Sequence, residues 1–165
     1  MTDRLQASGD TRAVHLERTY PTSPEELWTA WTDPDRLARW LGTPAGPLLD
    51  AVTPVRLSMG EDELDWVDLT VVRADAPRML ELRWEFAGEP AGLLRVQLTP
   101  LSEHSTLLVL DHQGLADSST GYGAGWQAFL DGPLAELFGG NAAGDWNELF
   151  ERAMPVWRDR TAALA

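Results

Sequence analysis

The chain has 165 residues, with 13 basic and 26 acidic side chains and a formal net charge of -13. That length suits one domain and buries roughly 70% of the unfolded surface without staples. Cysteine is absent, which removes disulfides, thiolate nucleophiles and cysteine-ligated metal sites. The acidity and scattered arginines argue against nucleic acid, whose binding rests on cationic side chains displacing counterions.

Hydrophobic content of 44% and charged content of 24% are ordinary for a globular protein, so the acidity reads as a solvated surface. The stretch from Met1 to Thr11 has neither the basic flank nor the apolar run of a secretory signal. Each apolar run is broken by Pro, Gly or charge before it reaches membrane-spanning length. A soluble, cytoplasmic protein without membrane insertion is expected.

The first strand is predicted over Thr11 to Tyr20, where Val14, Leu16 and Tyr20 alternate with His15, Glu17 and Thr19. Ser23-Pro24-Glu25-Glu26 then reads as a capping box, starting a short helix with Leu27, Trp28 and Trp31 on one side. Asp33-Pro34 starts a second, carrying Leu37, Trp40 and Leu41 and stopping at Gly42. A loop follows over Thr43 to Pro47. Two weak strands are expected at Leu48 to Val52 and Val55 to Met59, with a turn over Gly60 to Glu63.

Three stronger strands come next. They centre on Val67 to Val71, on Leu80 to Phe86 and on Leu94 to Thr99, and a fourth runs over Thr106 to His112. Their short connections imply an antiparallel meander, because parallel strands need crossover helices. After a polar loop over Gly114 to Gly121, the residues Trp126, Phe129, Leu130, Leu134 and Leu137 recur on one helical face, with a break expected at Pro133 and a stop at Gly139-Gly140. Asp145 and Glu148 cap a last helix, in which a kink is expected at Pro155. The order is α+β: helices on one face of a curved antiparallel sheet, with space for an apolar cavity between them.

Several motifs resemble one family. Pro21-Thr-Ser-Pro-Glu-Glu-Leu-Trp28-Thr-Ala-Trp-Thr-Asp33-Pro34, followed by Trp40, is similar to the opening of the START-related (SRPBCC) superfamily, in the branch of the activator of heat-shock protein 90 ATPase homologues. Asp75-Ala-Pro77-Arg78-Met-Leu80 with Trp84, Leu108 to Gly114, and Gly121-Tyr122-Gly-Ala-Gly125-Trp126 resemble later segments of that branch. The resemblance implies a helix-grip fold over residues 12–140, a curved sheet wrapped around a long C-terminal helix with two short helices after the first strand. Residues 141–165 are left as an additional C-terminal helix packed on the same domain. Where the branch often has a glycine pair, this chain has Asp50-Ala-Val-Thr-Pro54-Val. The tail after Asp145 is open to covering a cavity mouth, packing on the sheet's back or meeting a second subunit in a homodimer.

His112 shares a phase with Leu108 and Leu110 and is expected to face inward. It is either a proton-transfer group, the one weak catalytic candidate, or a core histidine with a satisfied ring, and buried polar groups more often do the latter. Arg18 is a second inward candidate, while His15 and His104 are expected to be exposed. The ligand-binding candidates are Trp40, Trp84, His112, Tyr122, Trp126, Phe129 and Leu130, with Tyr122 able to gate an opening. Trp28 and Trp31 read as packing, and Trp146 and Trp157 as interface residues. No spacing suits a metal, and no cofactor is expected.

The leading functional expectation is therefore binding of a small apolar molecule, without a defined catalytic activity. The resemblance implies two alternatives: a co-chaperone-like module stimulating a chaperone ATPase, or a polyketide cyclase/dehydratase-like enzyme using His112.

Overall fold

The computed structural model describes residues 3–60, 65–139 and 144–164. Most of the expected turn over Gly60 to Glu63, the Gly140 end of the expected helix stop and the boundary at 140 and 141 lie outside the described residues.

Eight strands form one antiparallel sheet, β1 (Arg4–Ser8), β2 (Thr11–Tyr20), β3 (Thr43–Pro44), β4 (Val55–Ser58), β5 (Trp66–Asp75), β6 (Met79–Phe86), β7 (Gly92–Ser102) and β8 (Ser105–Leu115). They lie in the order β1-β2-β8-β7-β6-β5-β4-β3, so β3 to β8 are a meander and β2 closes onto β8. The described residues also form five helices: α1 (Pro24–Thr32), α2 (Pro34–Trp40), α3 (Ser119–Asp131), α4 (Pro133–Leu137) and α5 (Trp146–Ala163). Register shifts in β2, β5 and β7 interrupt the ladder locally, which increases twist and bends the sheet around α3. This is the α+β helix-grip arrangement.

The local signals act as their chemistry requires. Ser23 accepts a hydrogen bond from the Glu26 amide at 3.3 Å, with Pro24 at the first helical position. Asp145 does the same for the Glu148 amide at 2.9 Å. Gly132 separates α3 from α4, so proline opens a new helix at Pro133 and does not kink an old one. Pro155, by contrast, lies inside an uninterrupted α5.

Period-two alternation sets the core. Val14, Leu16, Leu94, Leu108 and Leu110 are fully buried on the concave face, each stabilising the fold by about 1.5–3 kcal/mol. On the convex face, Arg73, Glu81, Arg95, Asp111 and His15 are successive cross-strand partners of alternating charge as far as Asp111. Arg95 bonds Glu81 at 3.1 Å, and Asp111 lies 2.6 Å from His15 Nδ1. His15 is thus buried, contrary to expectation, because Asp111 and Glu17 enclose its ring.

Three further expectations are corrected. The first strand among the described residues is β1, paired to β2 through the two-residue connection Gly9-Asp10, and not the one starting at Thr11. Leu48 to Val52 is no strand: Leu48 is buried as an anchor, and Asp50 adopts φ 64°, which an extended strand excludes. Arg18 does not enter the space beneath α3. Its guanidinium bonds Asp3 at 2.7 and 2.8 Å and Asp131 at 2.5 Å, tying the chain start and the end of α3 to β2. Burial opposes that charge, but the two carboxylates outweigh it and raise the guanidinium pKa. Beside it, the Tyr20 hydroxyl donates to the Leu130 carbonyl at 2.7 Å, seating the C-terminal half of α3 on β2.

Candidate functional site: a cavity under the glycine face of α3

Three alternate glycines of α3 divide the helix between two neighbours. Gly123 faces α5, and a Cβ there would overlap the Trp157 ring. The indole can therefore lie flat on the helix backbone, where its N–H donates to Gln127 Oε1 at 2.8 Å. Gly121 and Gly125, one turn apart, face the other way. A Cβ on Gly121 would meet nothing within 4 Å, and one on Gly125 would touch only Trp146 at 3.9 Å. Both glycines line a cavity of about 330 Å³.

Its walls come from four elements. Gly121, Tyr122, Gly125, Trp126 and Phe129 of α3 form the roof, and Trp84 and Phe86 of β6 form the floor. Trp146 and Phe150 of α5, stacked at 4.8 Å with an interplanar angle of 13°, close one side. Glu89, in the β6–β7 turn, closes another together with Ser118. The tail helix thus contributes a wall of the cavity and packs on α3.

The polar end is a short relay. Trp84 Nε1–H donates to the Tyr122 hydroxyl at 3.0 Å, and that hydroxyl donates to Glu89 Oε2 at 2.7 Å. Burial, then the bond to Glu89, raises the Tyr122 pKa, so the phenol stays protonated. Trp146 Nε1 is buried and has no hydrogen-bond partner among the described residues.

His112 sits behind this cavity and does not line it. Its ring lies 4.8 Å from Tyr122, 5.4 Å from Trp84 and 6.2 Å from Trp126, centroid to centroid. Trp126 Nε1–H donates to His112 Nδ1 at 3.0 Å. An indole can only donate, so Nδ1 is the acceptor and the imidazole proton is on Nε2. Nε2 is buried, lacks a partner among the described residues and lies against Gly92, where a Cβ would come to 3.0 Å. Burial drives the His112 pKa down to about 3, so the ring is neutral at physiological pH.

The remaining candidates separate by geometry. Trp84, Tyr122, Trp126 and Phe129 meet at the cavity. Trp40 donates its N–H to the Ala30 carbonyl at 2.7 Å and borders an adjoining cleft of about 690 Å³ that shares Met59, Phe86, Phe129 and Trp146 with the cavity. Leu130 is buried in the core one residue round the helix from Phe129, where it lines neither space. Sequence reasoning missed Glu89, Phe150 and the cavity role of Trp146. Among the described residues, no group of His, Asp and Glu could hold a metal ion, and no helix is long and apolar enough to cross a membrane.

The sequence profile of the activator of Hsp90 ATPase homolog 1-like proteins matches residues 21–139. The chain belongs to this family. No curated protein matches it. Among solved structures, CalU16 from Micromonospora echinospora superposes with a TM-score of 0.73 at 22% identity, covering 96% of this chain and 95% of CalU16. A Bordetella parapertussis protein, BPP1335, gives 0.67 at 26% identity over 96% of this chain and 91% of its own. DynU16, from the dynemicin biosynthetic locus, gives 0.65 at 29% identity over 75% of this family member and 46% of its own length. CalU16 is a likeness of fold. In this family member α5, which carries two of the cavity's aromatic walls, lies beyond the residues that the profile matches.

Two outcomes follow from the site. Gly125→Ala should stabilise the protein by about 0.5–1 kcal/mol through helix propensity, whereas Gly123→Ala should cost about 1–3 kcal/mol by overpacking against Trp157; urea unfolding of both variants checks the opposite signs. The neutral His112 ring makes the unfolded state the stronger proton binder below pH 6.5. Its contribution is fully present above that pH and is lost as pH falls toward 3, by about 2 kcal/mol between pH 6.5 and 5. His112→Gln should remove that part of the slope, and an unchanged slope would show that the ring already charges in the folded state.

Proposed function

We propose that this protein binds a small, mostly apolar molecule in the cavity between β6, α3 and α5, with residues 12–140 and the tail helix acting as one binding unit and without a defined catalytic activity. The observation that carries this reading is the pair Gly121 and Gly125. Each costs the helix about 1 kcal/mol relative to alanine, and neither is needed to admit a protein neighbour, so both keep space open. An apolar cavity of about 150 Å³ holds one benzene, so about 330 Å³ has room for roughly two rings by the same measure.

The cavity's composition supports the same reading. Broad aromatic faces bury a guest well, and a few polar groups at the margins orient it. Trp84 and Trp126 lie 5.3 Å apart at 62°, forming a corner against which a flat guest can rest.

Naphthalene, indole and dodecanol are suitable first probes. Binding should change tryptophan emission and raise the melting temperature, with stabilisation of about 2.7 kcal/mol at a free concentration one hundred times the Kd. Gly125→Leu should fold and lose the response, because its side chain occupies the guest's place. A native protein that responds to none of the three, or a Gly125→Leu variant that binds as well as the native chain, would contradict the proposal.

A further inference from the structure

The hydrogen-bond inventory of the cavity goes further, to the class of guest. Glu89 is the one charged side chain among the described lining residues, and no cationic group accompanies it there. The nearest donors are already committed: the Trp84 N–H to Tyr122, and the Tyr122 O–H to Glu89 Oε2. The Tyr122 hydroxyl therefore presents no proton to a guest, and the carboxylate at this end can only accept. Ser118 and Trp146 remain as neutral groups, and neither can balance a negative charge. A guest's carboxylate at this end would be held in an apolar space beside a like charge, with Arg39 lining only the adjoining cleft, in a chain whose net charge is -13.

A guest that brings a proton donor meets the opposite situation. Glu89 Oε1 makes no hydrogen bond with the described residues, and a carboxylate accepts from N–H or O–H with the strength of a charge-assisted bond. The ring faces around it add attraction for a cation, and their corner geometry suits a plane better than a flexible tail.

On the reading that the cavity is a ligand site, we propose that it selects a planar aromatic molecule, neutral or cationic, that carries an N–H or O–H donor to Glu89. Carboxylate-bearing lipids are rejected. Glu89 acts as the specificity-determining residue.

Five probes, three naphthyl compounds and two twelve-carbon chains, test this by isothermal titration calorimetry: 2-naphthylmethylamine, 2-naphthol, 2-naphthoate, dodecanol and laurate. The amine and the naphthol should bind at least about tenfold more tightly than 2-naphthoate and laurate, the ratio for which one well-placed charged hydrogen bond suffices. Glu89→Gln, which lies in a surface turn and should melt near the native temperature, should bring 2-naphthoate to within about twofold of the amine, because an amide carries no charge to discriminate. Equal or tighter binding of 2-naphthoate or laurate by the native protein would overturn the inference, as would an undiminished preference in Glu89→Gln. If dodecanol and laurate bind tightly and Gly125→Leu blocks them, the cavity reading survives and this selectivity falls. If no probe binds, both fall.

Discussion

The proposed site depends on where α3 packs tightly and where it does not, and three glycines spaced two apart mark those places. Gly123 removes a side chain so that Trp157 can lie against the helix backbone, fixing α5 to α3. Gly121 and Gly125 remove side chains where no neighbour moves in. The same residue type therefore produces dense packing on one side of the helix and open space on the other. An open apolar space beside a helix weakened by two glycines leaves that end of α3 with less packing, and the helix is held at its opposite end by Arg18 with Asp131 and Tyr20 with the Leu130 carbonyl.

Charge is segregated in the same way. The convex face carries a cross-strand row of alternating arginines and carboxylates, while the concave side keeps its one buried imidazole neutral. His112 orders the aromatic cluster by accepting from Trp126 and packing edgewise on Tyr122 and Trp84. This makes it a positioning residue for the rings that line the cavity. On the proposed binding reading, polar contact with a guest falls to the Tyr122–Glu89 end.

Much of the architecture was legible because period-two and period-3.6 patterns report burial directly, as in Leu80 to Phe86 and in Thr106 to His112. Strand β1 escaped notice because four of its five residues are exposed, so it carries no apolar alternation. Its signal lay in the connection, since Gly9-Asp10 is a two-residue hairpin turn in its own right. Leu48 and Leu49 resembled a strand because burial, not pairing, is what an apolar run encodes. Trp84, Tyr122, Trp126 and Phe129 were identifiable from phase and family motif. Phase is too coarse to part Phe129 from Leu130, which lie about 100° apart on one helix. Glu89 was invisible to periodicity, because a turn residue acts through a hydrogen bond to a tyrosine 33 positions away.

Binding as proposed requires the gap beneath Gly121 and Gly125 to be apolar and open to a guest. Xenon enters dry apolar cavities without needing any polar contact, so a crystal structure of this protein under xenon pressure tests the claim apart from any choice of ligand. An ordered xenon atom is expected in van der Waals contact with the Gly125 backbone, in the open corner made by the Trp84 and Trp126 rings. A structure in which side chains fill that volume, with xenon bound elsewhere or not at all, would contradict it.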